Sequence, residues 1–164
     1  WRGMDSIYAT AGGVITTGDD IVKWIELLLG RGVYNGTRLI HAEAIHEMHT
    51  PQMMMDTVWG TPWSTITNPF AHLIACGLGW VTFEYQGQRV VEHMGANFGS
   101  SVVALVPEEG LGVAVFVNSS CPNWKSERTV AALKTMVIDL VLGTSKTEWR
   151  AVVLKFHQSE EARG

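Results

Sequence analysis

What the 164-residue sequence has little of narrows its function first. Lys and Arg total 12 against 16 Asp and Glu, a net charge of −4, and no basic stripe stands out. A nucleic-acid surface needs such a stripe to neutralise phosphates, so no nucleic-acid partner is expected. No apolar run approaches the roughly 18 residues that cross a bilayer, so no membrane span is expected. There are two cysteines, Cys76 and Cys121, which build neither a disulfide framework nor a cysteine zinc site; both read as buried thiols. A Walker sequence, a G-x-G-x-x-G turn and an internal repeat are all missing from the chain. Neither a signal peptide nor a cellular compartment is read from a start at Trp1.

What is there fits one globular unit with its own core: 46% hydrophobic residues and 17% charged ones. Thr17-Gly18-Asp19-Asp20 reads as a helix start, with Thr17 as cap and Asp20 three residues on. Ile21, Val22, Trp24, Ile25, Leu28 and Leu29 follow at helical spacing as its core face, and Gly30 and Gly32 stop it. Tyr34-Asn35-Gly36-Thr37 predicts a turn, and a short helix is expected from about Ala42 to Met48. Residues 51–72 look irregular, with Met53, Met54 and Met55 either lining a pocket or forming a satellite cluster. From there the pattern is β: 77–85, 89–93, 100–106 and 111–117, joined by short turns into an antiparallel meander. A long helix follows, with Val130, Leu133, Val137, Leu140 and Val141 as the face that would lie on the sheet. Trp149, Val152, Val153 and Phe156 mark a second amphipathic helix. The fold class expected is α+β, an antiparallel sheet flanked by helices.

Two groups of residues invite chemistry. One is Val90 to Gly99, where His93 sits near the end of a strand and is followed by Gly95 and a short loop. A ligand can lie along such a strand edge, although a strand-end histidine can also be satisfied by its neighbours. Asn97 and Phe98 either touch that ligand or shape the turn. The other group is His41, His46 and His49, of which the last two share a helix face. A metal would need more ligands than these, and none is expected here; no other cofactor is implied either.

Ala11-Gly12-Gly13-Val14-Ile15-Thr16-Thr17, Met48-His49-Thr50-Pro51, Gly77-Leu78-Gly79-Trp80, His93-Met94-Gly95 and Leu105-Val106-Pro107-Glu108-Glu109-Gly110, in this order and with Asn118 at the end, resemble the C-terminal part of the serine β-lactamase-related family. That group includes class C β-lactamases, DD-peptidases and β-lactamase-type esterases. The resemblance runs from about residue 9 to 143. It implies the second half of a β-lactamase/transpeptidase-like fold at 1–143, followed by an amphipathic helical tail with a frayed end at 144–164. In the family the site is built from S-x-x-K, Y-x-N and a strand motif K-T-G or H-x-G. His93-Met94-Gly95 matches the third. The resemblance therefore implies catalytic roles for His93 and for the Ala96 N–H, the latter as an oxyanion donor, with Met94, Gly95, Asn97 and Phe98 binding substrate. The expected substrate is a small ester, amide or peptide.

The sequence contains neither S-x-x-K nor Y-x-N. The expected function is thus the C-terminal portion of a serine hydrolase working through an acyl-serine, with no acylation by this chain alone. An inactive truncated homologue that binds ligands in the same groove is the alternative, and a hydrolase using a histidine-bound metal is the second. Half a sheet also exposes an edge, so homo-oligomerisation, or pairing with the missing N-terminal half, is expected.

Overall fold

The computed structural model describes residues 12–55, 71–96, 99–119, 125–144 and 147–161. Helix α1 spans Gly18–Leu29, and its start follows the chemistry of its first residues: the Thr17 hydroxyl accepts the Asp20 N–H at 3.2 Å. Ile25, Leu27 and Leu28 form its buried side, whereas Val22 and Trp24 face outward. Trp24, expected in the core, is therefore a surface residue. A two-stranded hairpin follows, β1 (Val33–Tyr34) and β2 (Thr37–Arg38), closed at Asn35-Gly36 as the sequence predicts. Helix α2 covers Ala42–His49.

The main sheet has six antiparallel strands in chain order: β3 (Met53–Met54), β4 (His72–Cys76), β5 (Val81–Tyr85), β6 (Gln88–Ala96), β7 (Ser100–Val106) and β8 (Leu111–Val117). Sequence pattern misses β4 because its alternation is broken. Leu73 takes a left-handed φ of 53°, and the register shifts between His72 and Ala75. It also places the start of β5 too early. Gly77 to Trp80 form a turn, closed by the Gly77 N–H donating to the Trp80 carbonyl at 2.7 Å, and Gly79 has φ 78°. Of the apolar loop expected at 51–72, residues 56–70 lie outside the described residues. Met53 and Met54 are exposed on β3, while Met55 packs on the core.

Helix α3 (Lys125–Leu142) and helix α4 (Trp149–Glu161) cover one face of the sheet. The orientation of α3 corrects the expectation from hydrophobic spacing. Leu133, Val137, Leu140 and Val141 are exposed, Leu140 at 78%, and the sheet-facing side instead buries Val130, Ala131, Lys134, Thr135, Ile138 and Asp139. The polar members of that side each find a partner. Lys134 pairs with Glu92 of β6 and lies 5.4 Å from the Phe83 ring centroid. The Asp139 carboxylate accepts from the Tyr85 hydroxyl at 2.7 Å and from Trp149 Nε1 at 2.8 Å, which ties β5, α3 and α4 together. A paired charge can be buried where an unpaired one cannot, so these partners decide which side of α3 faces inward.

The opposite face of the sheet carries α1 and α2. There Ile25, Leu28, Ile45, Trp80, Val91 and Leu105 form a second apolar cluster. Side chains alternate across the strands, so on β6 Val90, Glu92 and Met94 face α3 while Val91, His93 and Gly95 face the α1/α2 side.

Candidate active site on the free end of β6

The site follows from a mismatch in strand length. The last β5–β6 pair is Val81 with Glu92, whereas β6 and β7 stay paired to Ala96 with Ser100. Residues His93 to Ala96 therefore run past the end of β5, and among the described residues no strand flanks them on that side. The Gly77–Trp80 turn carries the chain away just there, held by the Leu78 N–H, which donates to the Met48 carbonyl at 3.0 Å. The result is a short open edge in the middle of a sheet, where backbone N–H and C=O groups can meet an extended ligand.

The strand register sets what lies beside this edge. His93 stands opposite Val103, which in turn pairs with Ala114. Gly95 stands opposite Ser101, which pairs with Phe116. Both rows face the α1/α2 side; Val103 and Ala114, in the His93 row, pack against the cluster that those helices cover, and the Gly95–Ser101–Phe116 row is the one farther toward the open end. His93 and Ala96 are exposed, Gly95 and Ser101 are half-buried, and Phe116 is 49% exposed. A Cβ at Gly95 would sit 2.7 Å from Ser101 Oγ, so a larger residue there would require that hydroxyl, which donates to the Gly95 carbonyl at 3.5 Å, to rotate away.

Of the residues singled out by sequence, His93, Gly95 and Ala96 thus share the open end. Met94 belongs to the same strand, but its side chain is buried against Val102, Val130 and Ala131, so only its backbone is offered to a ligand at the edge. Asn97 and Phe98 lie outside the described residues. Ser101 and Phe116 were not singled out. Their signal was present in the register, since pairing Ala96 with Ser100 puts Ser101 across from Gly95. Glu92 carries a signal of its own, since a carboxylate in the inward alternation of a strand calls for a buried cation, which Lys134 provides.

The histidine cluster does not assemble. Among the described residues no three His, Cys, Asp or Glu side chains are placed to hold a metal ion. His49 turns inward instead, with its ring edge-on to Trp80 at 5.3 Å. Burial, with the nearby charges of Arg89 and His46, holds its pKa below the usual histidine value. Cys76 is a half-buried free thiol, and Cys121 lies outside the described residues. No described helix is long and apolar enough to cross a membrane.

Neither a curated protein nor a solved structure matches the chain. A family profile described as Beta-lactamase matches residues 1–135, which takes in α1, α2, the whole sheet and the open end of β6. Together with the mixed α+β architecture and its antiparallel sheet, that match over most of the sequence shows that the chain belongs to the β-lactamase family.

Proposed function

We propose that this chain supplies the sheet-edge half of an acyl-transfer site in a serine hydrolase that cleaves a small ester, amide or peptide. The observation that supports this most is the four-residue overhang of β6 past β5, which carries His93-Met94-Gly95. The acyl part of a substrate would lie along it and pair with backbone groups, and Gly95 leaves room for close approach. A serine outside this sequence would attack the carbonyl carbon. The Ala96 N–H, with the nucleophile's own N–H, would hold the developing oxyanion. His93 would donate a hydrogen bond or positive charge to the network that deprotonates the serine, or to a substrate carboxylate. Collapse of the tetrahedral intermediate would expel the alcohol or amine, and water would then release the acid from the acyl-serine.

The missing S-x-x-K favours one other reading, a binding module that uses the same groove without chemistry. Intact-mass analysis after a fluorophosphonate serine probe separates the two. In the native gene product a single adduct is expected, forming more slowly in His93→Ala, while the 164-residue chain by itself should stay unlabelled. A folded native product with no adduct would overturn the hydrolase reading in favour of binding.

A further inference from the structure

The turn that leaves the end of β6 open is held by the last residues of α2, and His49 sits at that joint. The Leu78 N–H donates to the Met48 carbonyl at 3.0 Å, and the Thr82 hydroxyl donates to the His49 carbonyl at 3.0 Å. Gly77 lies so close to this helix end that a Cβ there would collide with the Met48 carbonyl oxygen. We propose that His49 is an acid-sensitive latch on the open edge: a proton added to its ring drives it from its buried seat beside Trp80, and the Gly77–Trp80 turn, freed from α2, is no longer held away from His93 to Ala96. The latch regulates the edge read above as the site, and it rests on that reading only for its purpose.

The seat suits a neutral ring and not a charged one. His49 is 5% exposed, and its ring stands edge-on to Trp80, which belongs to the apolar cluster with Ile25, Leu28 and Ile45. Its buried Nε2 has no hydrogen-bond partner, so the imidazolium would hold an N–H there with no acceptor. The charged groups nearby do not compensate. Arg89 of β6 and His46 of α2 are themselves cationic or become so in acid, and Arg31 at the end of α1 lines the same groove. Glu108, in the turn after β7, is engaged by Arg89 at 2.9 Å. On α2 itself, Glu47 accepts from Gln52 Nε2 at 3.0 Å, and Glu43 lies in the first turn whereas His49 closes the last. Among the described residues no carboxylate pairs with His49.

Burial first, then the charges of Arg89 and His46, hold the ring's pKa below the usual 6.5. A lowered value means that the closed latch takes up a proton less readily than the open one. The stability of the closed form is therefore complete above pH 6.5 and is lost as the pH falls toward the value of the buried ring. Outside the cluster the same charge is welcome, because the helix dipole favours a cation at the C-terminal end of α2. The sheet is meanwhile held from its other face, by Lys134 on Glu92 and by Asp139 on Tyr85, so the turn can release while the strands stay paired.

The test uses the whole 164-residue chain and amide hydrogen exchange read by NMR. Corrected for intrinsic exchange, protection of the Leu78 N–H should fall severalfold between about pH 7 and about pH 5. The fall should span the interval in which nitrogen-15 shifts show the His49 imidazole taking up its proton, while protection at Ala104 in β7 holds. His49→Phe keeps a ring beside Trp80 without a titrating nitrogen and should abolish the fall; if that variant does not fold, the match between the Leu78 and His49 intervals decides. In His93→Ala, which removes the titrating group of the edge itself, the Gly95 and Ala96 amide signals should still shift in the same interval. Constant Leu78 protection, a fall that persists in His49→Phe or lies outside the His49 interval, an equal fall at Ala104, or unmoved Gly95 and Ala96 signals would each overturn the proposal. None of these readouts involves the fluorophosphonate, so a native product that takes no adduct removes the hydrolase reading and leaves the latch standing.

Discussion

The two faces of the sheet solve different problems, and adjacent residues of one strand show it. Glu92 faces α3 and is locked against Lys134, with side-chain exposures of 3% and 1%. His93, the next residue, faces the other way and is exposed. The α3/α4 face holds buried polar pairs: Glu92 with Lys134, Tyr85 and Trp149 with Asp139, and Ser100 with Ser126 and Glu127. The α1/α2 face is mainly apolar and leaves one end of β6 open. The first arrangement holds the strand in place; the second leaves accessible the end that we propose as the site. A site needs both, since a ligand-binding edge is useful only if the strand carrying it stays in place.

The largest test of this contrast is Lys134→Ala. It leaves a buried carboxylate without its cation and should cost about 3–5 kcal/mol in chemical denaturation. Glu92→Met combined with Lys134→Met should regain most of that, because a buried ion pair often only breaks even with an apolar pair. A single variant within about 1 kcal/mol of the parent would show that the pair does not anchor the strand.

Next comes Tyr85. Burial first, then its bond to the Asp139 carboxylate, pushes its hydroxyl well above the usual tyrosine value of 10.0. A raised pKa means that the folded state holds its proton longer than the unfolded state does. The stability it brings is therefore complete below pH 10 and is lost as the pH climbs from there toward the folded-state value. Denaturation at several alkaline pH values should show the parent losing its advantage over Tyr85→Phe above pH 10; a constant gap would refute the linkage.

His93→Ala tests the other face. An exposed side chain contributes little to the fold, so stability should change by no more than about 0.5 kcal/mol. Fluorophosphonate labelling of the native gene product should nevertheless slow at least about tenfold, as removal of a proton-handling or charge-stabilising group does. A loss of stability matching the loss of labelling would reduce His93 to a structural residue.

The smallest effect is expected for Leu140→Ser on α3. Because this leucine is 78% exposed, its replacement should alter monomer stability by about 0.5 kcal/mol or less, where an inward-facing leucine would cost several times more. Thermal unfolding checks it, and a large loss would restore the orientation that hydrophobic spacing implies.

Much of the local structure was legible because local chemistry governs it. Thr17 and Asp20 cap α1, Asn35-Gly36 closes a hairpin, and the apolar runs at 100–106 and 111–117 pair through the Pro107–Gly110 turn. The motif His93-Met94-Gly95 was equally visible, as was the likeness to the family that the profile match shows. What neighbours in sequence do not decide is which side of an element turns inward. The spacing of Leu133, Val137, Leu140 and Val141 points to a core face, yet Lys134 and Asp139 occupy that position because Glu92, Tyr85 and Trp149 wait for them, 42, 54 and 10 residues away in the chain.

The candidate site divides along the same line. Sequence alone fixes the residue types at the end of β6, and glycine at position 95. Only the tertiary structure shows that β5 stops at Val81, four residues short, and that Ser101 and Phe116 stand in the row beside Gly95. Strand ends, register and partner choice depend on contacts between distant segments. Their free energy is settled by mutual burial and pairing, and no local pattern carries that information.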